Sequence, residues 1–210
     1  MGLWDRLWAG GYEFLGARAQ KIEGPYRERI AGQARGEVLE IGAGTGFNFP
    51  HYREAARVVA IEPDPSMRSF AQRRAVPAAV PIAVTAGDAH RLDFPDASFD
   101  TVIFSLVLCT IPDPARALAE AGRVLRPRGE IRFYEHVRSK DAALAARQDR
   151  WLKPWRAFNR GCHPNRDTVA EIRRAGFAVS RLDEFDLVAR GVPKIVRPHA
   201  IGTAVAGSRV

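Results

Sequence analysis

Cysteine is almost absent from this 210-residue chain; Cys109 and Cys162 are the only two. Two thiols at this separation make neither a disulfide framework nor a recognisable metal-binding spacing, and a reducing cytoplasm is the expected setting. Long hydrophobic runs are missing too. The longest near-continuous apolar stretch covers residues 101–111, well short of the ~20 residues a bilayer-spanning helix needs. The N-terminus has no basic start, long apolar middle or small-residue cleavage site, so no secretory signal is expected. Lysine occurs only at Lys21, Lys140, Lys153 and Lys194, and arginine supplies most of the net charge of +8. The arginines are scattered, with no basic run of five or more. A compositional bias accounts for them better than a nucleic-acid surface, with a basic face toward anionic lipid as the other alternative. No internal repeat or low-complexity stretch is present.

What the chain does have is an ordinary globular composition, 46% apolar and 27% charged. That suits one domain with one core. Short β-like runs alternate with helical patterns, which argues for an α/β fold with a mostly parallel sheet. Strands are expected at Glu37–Ile41, Val58–Glu62, Ile82–Ala86, Thr101–Val107, Glu130–Glu135, Phe177–Phe185 and Pro198–Val205. The run at 101–107 is apolar on both faces, as a central parallel strand should be. Asp64-Pro65 and Asp113-Pro114 open helices, and a helix over Arg166–Ala175 stops at Gly176. Arg126-Pro127-Arg128-Gly129 turns the chain into the fifth strand. Residues 1–34 stand apart from the domain proper, 35–210. Leu3, Trp4, Leu7, Trp8, Phe14 and Leu15 recur at helical spacing, with a break expected at Gly10-Gly11. Packing on the chain's own core, a lid over a site, and peripheral contact with a membrane surface are the three alternatives for this stripe.

The densest signal is Val38-Leu39-Glu40-Ile41-Gly42-Ala43-Gly44-Thr45-Gly46, a buried strand ending in an acid and running into a glycine turn. Glycines at alternate positions allow a tight turn and a close ligand approach. An acid at Glu40 disfavours a pyrophosphate and favours a cofactor carrying positive charge. A nicotinamide-dinucleotide oxidoreductase is the competing reading, but its fingerprint places the third glycine one residue later than Gly46. Glu62, twenty residues after Gly42, can accept both hydroxyls of a ribose. Asp88, in Gly87-Asp88-Ala89, can accept from an adenine amino group. All these strand ends lie on the carboxyl edge, where open α/β sheets bind ligands.

As an ordered set these motifs, with Ser98-Phe99-Asp100 and Arg123-Val124-Leu125-Arg126-Pro127-Arg128-Gly129, resemble the class I S-adenosylmethionine-dependent methyltransferases. The family usually carries glycine where this chain has Arg128. A narrower resemblance rests on Thr45-Gly46-Phe47-Asn48-Phe49, Leu106-Val107-Leu108-Cys109, Tyr134-Glu135-His136-Val137 and Arg197-Pro198-His199. These look like the methyltransferase-like group that contains the alkyl thiol S-methyltransferases. The resemblance implies a single Rossmann-like domain with a seven-stranded, mostly parallel sheet of order 3-2-1-4-5-7-6 and helices on both faces. It implies S-adenosylmethionine as cofactor, held by Glu40, Gly42, Ala43, Gly44, Gly46, Glu62, Pro63, Asp88, Ala89 and Ser105. The partner is a small-molecule methyl acceptor, with a thiol favoured over a phenol, quinone or lipid-like substrate. Neither nucleic acid nor an obligate protein partner is expected.

Methyl transfer is an in-line displacement, helped by alignment and by exclusion of water. A thiol with a pKa near ~8.5 needs only modest help to ionise. His136 and His199 are the candidate bases, each set against a purely structural, hydrogen-bonded histidine. His163, in Gly161-Cys162-His163-Pro164, is a weaker candidate, and His90 is expected beside the adenine. Cys109 is expected to be a small apolar filler. No metal is expected, because no His–Cys spacing suggests one.

Overall fold

The computed structural model describes residues 3–206. It begins with one long helix, α1 (Leu3–Ala31), followed by β1 (Gly36–Ile41), β2 (Ala55–Ile61), α2 (Pro65–Ala75), β3 (Ile82–Thr85) and β4 (Phe99–Ser105). Then come α3 (Pro114–Val124), β5 (Leu125–His136), α4 (Ala142–Phe158), α5 (Thr168–Arg174), β6 (Phe177–Asp186) and β7 (Pro198–Ala206). The seven strands form one sheet of order β3-β2-β1-β4-β5-β7-β6. The first five run parallel, and β7 is antiparallel to both neighbours. This is the order and the Rossmann-like architecture implied by the motifs.

Alternation along the central strands sends side chains to two cores. Leu39, Ile41, Val102, Phe104, Ile131 and Phe133 meet Leu118 and Ala121 of α3 and Val169 and Ile172 of α5. Val38, Ala60, Ile103 and Tyr134 point the other way, toward Ile30 and Ala31 of α1 and Ala71 of α2. Strands covered on both faces have to be apolar on both, which is why β4 reads as a continuous run. Aspartates start four helices. Asp64, Asp113, Asp141 and Asp167 each accept from amides two or three residues on, an arrangement worth about 1 kcal/mol per cap.

Three expectations are corrected. The break at Gly10-Gly11 does not occur, and α1 runs through both glycines and Pro25. Its C-terminal half is fixed by the core and by contacts with α2, β4, β5 and β7, and packing of this kind overrides the roughly 1 kcal/mol that a helical glycine costs. The side chains of Leu3, Trp4 and Trp8 lie outside the described residues, whereas Leu7, Phe14 and Leu15 are exposed. Helix α4 has no counterpart among the expected elements; only Ala145 and Gln148 of it are buried, so its apolar periodicity is weak. Strand β5 begins at Leu125, and the expected turn at 126–129 becomes an irregularity where the pairing steps from Phe99–Leu125 to Thr101–Glu130. Among the described residues no helix is long and apolar enough to cross a membrane.

Arg128 sits in that irregularity at φ 71°, the left-handed region that costs an L-residue roughly 1–2 kcal/mol. Arg128→Gly is expected to raise the urea-unfolding free energy by about 1 kcal/mol with cofactor affinity unchanged.

Candidate active site

The carboxyl ends of β1, β2 and β4 open onto a cavity of about 530 Å³. Its floor is the turn after β1, where Gly42, Gly44 and Gly46 all take positive φ. A Cβ on Gly42 would lie 2.3 Å from Val107 Cγ2, and one on Gly46 would lie 2.7 Å from the Phe49 ring, so these positions admit no side chain. At Gly44 the same atom would meet only Met67 Cε, at 3.4 Å, which leaves that face of the turn open.

Four amides of the turn are already committed. Gly42 and Ala43 both donate to the Ile61 carbonyl, Gly46 donates to the Ala43 carbonyl, and Gly44 donates to Glu62 Oε2 at 2.8 Å. A turn wired this way offers no nest of free N–H groups to a phosphate. Glu62 also accepts from the Asp64 amide through Oε1. Burial pushes its carboxyl pKa up, and the two amides oppose that rise. A carboxylate can accept about four hydrogen bonds, so capacity for two hydroxyls remains.

Glu40 is 2% exposed. Its oxygens accept from Asn48 Nδ2 at 2.8 Å and Tyr52 OH at 2.6 Å. Burial pushes its pKa up to about 7, against those two hydrogen bonds. Glu40 therefore fastens the loop after the turn through two side chains, and it does not cap the turn amides. Asp88 is exposed at the cavity rim. Its Oδ1 accepts from the His90 amide at 2.9 Å and faces His90 Nδ1 at 2.7 Å, and the amide bond is the main cause of a lowered pKa.

Helix α1 lays Tyr12, Glu23 and Arg27 along the cavity. Arg27 is buried, ion-paired to Glu23 at 2.6 Å, and donates to Asn48 Oδ1 at 3.1 Å and Ser105 Oγ at 3.3 Å. Arg74 of α2 ties α1 down from outside through Glu13 and the Thr45 carbonyl.

At the opposite end, Cys109, His136 and Cys162 meet. Cys109 Sγ is 3.6 Å from His136 Nδ1, Cys162 Sγ is 3.7 Å from the same nitrogen, and the two sulfurs are 3.7 Å apart. Glu135, fully buried, holds the first of these in place by accepting from the amides of Val107, Leu108 and Cys109. The loop carrying Cys162 is clamped by the His163 amide on the Cys109 carbonyl and by Arg166 on the Leu108 and Ile111 carbonyls. The hydrogen bond between the sulfurs, with that to His136, draws the Cys162 thiol down, and the same sulfur contact together with burial pushes Cys109 up. Burial disfavours a charged His136, but Cys162 together with the charges of Glu135 and Glu23 outweighs it and moves the ring's pKa upward. A second cavity of about 540 Å³ adjoins the first and shares His136, Trp155, Arg27 and Tyr12 with it.

A methyltransferase-domain family model matches residues 39–133. Thiol S-methyltransferase TMT1B of Homo sapiens is 31% identical over 223 residues, covering 98% of this chain and 90% of that protein. The Rattus norvegicus TMT1B is 33% identical over 174 residues, with 80% and 70% covered. The chain belongs to the S-adenosylmethionine-dependent methyltransferases. A methyltransferase of this class from Thermotoga maritima superposes with a TM-score of 0.64 at 20% identity, over 92% of this chain and 95% of that one. A chain from the complex between the Haloferax volcanii Trm112 methyltransferase activator and a putative methyltransferase gives 0.73 at 17% identity, over 97% of each.

The residues suit the methyltransferase cofactor. Carboxylates and a committed turn face the cavity, which favours a sulfonium and a nucleoside over a pyrophosphate. Glu40, Gly42, Ala43, Gly44, Glu62, Pro63, Asp88, Ala89, Ser105 and His136 all line this cavity. Gly46 lies behind the turn, and His199 lines only the second cavity. His199 and His136 are paired across β5 and β7 with ring centroids 4.7 Å apart. His199 Nδ1 donates to the Arg197 carbonyl at 2.8 Å, and its ring stacks on Tyr134 and Phe185. Burial, then the charge of His136, lowers its pKa to about 3, too weak for a base at neutral pH. His163 is occupied in clamping its own loop. Motif reading missed Arg27 and Glu23, whose helix lies far from the motifs in sequence, and it missed the meeting of the two cysteines.

For His199, the unfolded chain binds more protons than the folded one between pH 3 and 6.5, so stability rises with pH across that window. His199→Phe keeps the stacking and removes the titration. Relative to it, the parent is expected to lose about 2 kcal/mol of unfolding free energy between pH 6.5 and 5, read by urea denaturation at each pH.

Proposed function

We propose that this methyltransferase transfers a methyl group to the sulfur of a small thiol, and that the cluster of Cys109, His136 and Cys162 ionises the acceptor. The observation that carries this reading is the meeting of an imidazole and two sulfurs at the junction of the two cavities. The thiol S-methyltransferase relatives, at about 30% identity, support it from outside. When bound, S-adenosylmethionine supplies an electrophilic methyl group on a positively charged sulfur.

The chain's own residues divide the remaining work. Glu62 takes the ribose hydroxyls with its unused lone pairs, and Asp88 and Ala89 take the adenine edge. Arg27, with Ser105, pairs with the carboxylate of the cofactor's amino-acid end. Glu40 keeps Asn48 and the turn in register, and its own charge is a weak one because burial holds its pKa near 7. The cluster lowers the acceptor's pKa at the reacting sulfur, and α1 and α4 exclude water. In this reading α1, within residues 1–34, is the lid of the domain that follows. The second cavity holds the body of the acceptor, between Leu15, Phe158 and Val192.

Two measurements check the reading. In a panel of thiols, phenols and quinones followed by S-adenosylhomocysteine release, thiols are expected to turn over fastest; methylation of phenols or quinones with no thiol turned over rules the reading out. Arg27→Met is expected to weaken S-adenosylhomocysteine binding roughly 10- to 100-fold by calorimetry, the cost of losing a charged hydrogen bond. An unchanged affinity removes Arg27 from the amino-acid end.

A further inference from the structure

The separations within the sulfur–imidazole cluster are those of a metal site. Zinc bound by two thiolates at about 2.3 Å and one imidazole at about 2.0–2.1 Å, in a tetrahedron, sets ligand atoms about 3.8 Å apart between sulfurs and about 3.6 Å apart between sulfur and nitrogen. The three separations here are 3.7, 3.6 and 3.7 Å. A disulfide would need the sulfurs at about 2.05 Å, and both cysteines are free. We infer that Cys109 Sγ, Cys162 Sγ and His136 Nδ1 form a zinc site whose fourth position opens into the cofactor cavity.

The surroundings fit an ion. Each ligand comes from a separate piece of chain, and each piece is pinned by buried hydrogen bonds. Glu135 gathers the amides before and at Cys109. Buried Gln148 of α4 donates to the carbonyls of Val137, Pro164 and Ile195, which ties the strand end after His136 to the loop after Cys162. Such rigidity holds ligand atoms at bonding separation before the ion arrives. Two buried thiolates are electrostatically costly alone; a divalent ion neutralises both. Soft sulfur with imidazole selects zinc over magnesium or calcium.

Among the described residues the group offers three ligand atoms, and Glu135 is spent on backbone amides. Three protein ligands with one open position is the pattern of a reactive zinc site rather than a closed structural one. All three ligands line the first cavity and His136 also lines the second, so the fourth position is reached where the two cavities adjoin. On the thiol reading above, an acceptor thiol taking that position releases its proton to solvent and binds as the thiolate. The metal would then be how the cluster ionises its substrate.

The test separates metal from acceptor. Purified full-length protein is expected to carry about one zinc per chain by elemental analysis. After chelation, Co²⁺ is expected to give the visible bands of a tetrahedral thiolate complex. Cys109→Ser and Cys162→Ser are expected to abolish those bands while still binding S-adenosylhomocysteine, which reports a folded cofactor site. His136→Gln is expected to weaken Co²⁺ affinity by roughly tenfold or more. Protein that binds S-adenosylhomocysteine but takes up neither Zn²⁺ nor Co²⁺, or whose uptake survives both serine variants, overturns the site. Stoichiometric zinc in a protein that methylates only phenols supports the site and defeats the thiol reading. Thiol methylation by protein that cannot bind metal does the reverse.

Discussion

The reactive end of this molecule depends on one buried carboxylate. Glu135 lies at the end of β5 and spends its two oxygens on three consecutive amides, Val107, Leu108 and Cys109. Burial pushes its pKa up, and those three amides, then the charge of His136, push back. The contacts fix the chain as it leaves β4. Val107 is set against Gly42, closing off any side chain there, and Cys109 is set against the residue following Glu135, His136. One interaction thus couples the cofactor turn to the sulfur–imidazole cluster.

The two ends of the cavity are opposite in chemistry. The end at the glycine turn is acidic and wired by backbone: Glu62 holds Gly44 and Asp64, and Asp88 holds His90. A positive sulfonium gains from this field, whereas a pyrophosphate would meet repulsion and no run of successive free amides. The other end is built of soft, polarisable groups. Arg27 stands between them, fixed by Glu23, Asn48 and Ser105, so the cavity wall and the packing of α1 depend on the same guanidinium.

Elements with strong local signals were legible before any coordinates. The sheet strands carry apolar runs, and Asp-Pro pairs mark the starts of α2 and α3. Elements whose order comes from distant partners were not. Helix α4 buries little, and its key residue is the polar Gln148, which hydrophobic periodicity ignores. The glycine pair in α1 reads as a break, but a helix anchored by a core tolerates it. Of the proposed cofactor residues, those on the glycine turn and strand ends lie where the motif placed them. His199 and His136 look alike as motif histidines; only their neighbours separate a stacked, neutral ring from one beside two sulfurs.

What the sequence determined by itself was the fold class, the strand order through its family resemblance, and the glycine turn and strand-end acids that line the cavity. Those features rest on contiguous patterns: a strand, a turn, an acid at a strand end. The tertiary structure alone decided the sulfur–imidazole cluster. Cys109 and Cys162 are 53 residues apart, and His136 lies between them. No local spacing could announce that a parallel β4–β5 pair and a clamped loop would bring the two sulfurs and the imidazole within 3.7 Å of one another. Periodicity reports which face of an element is buried, but the meeting of polar atoms from three elements is a property of the folded chain.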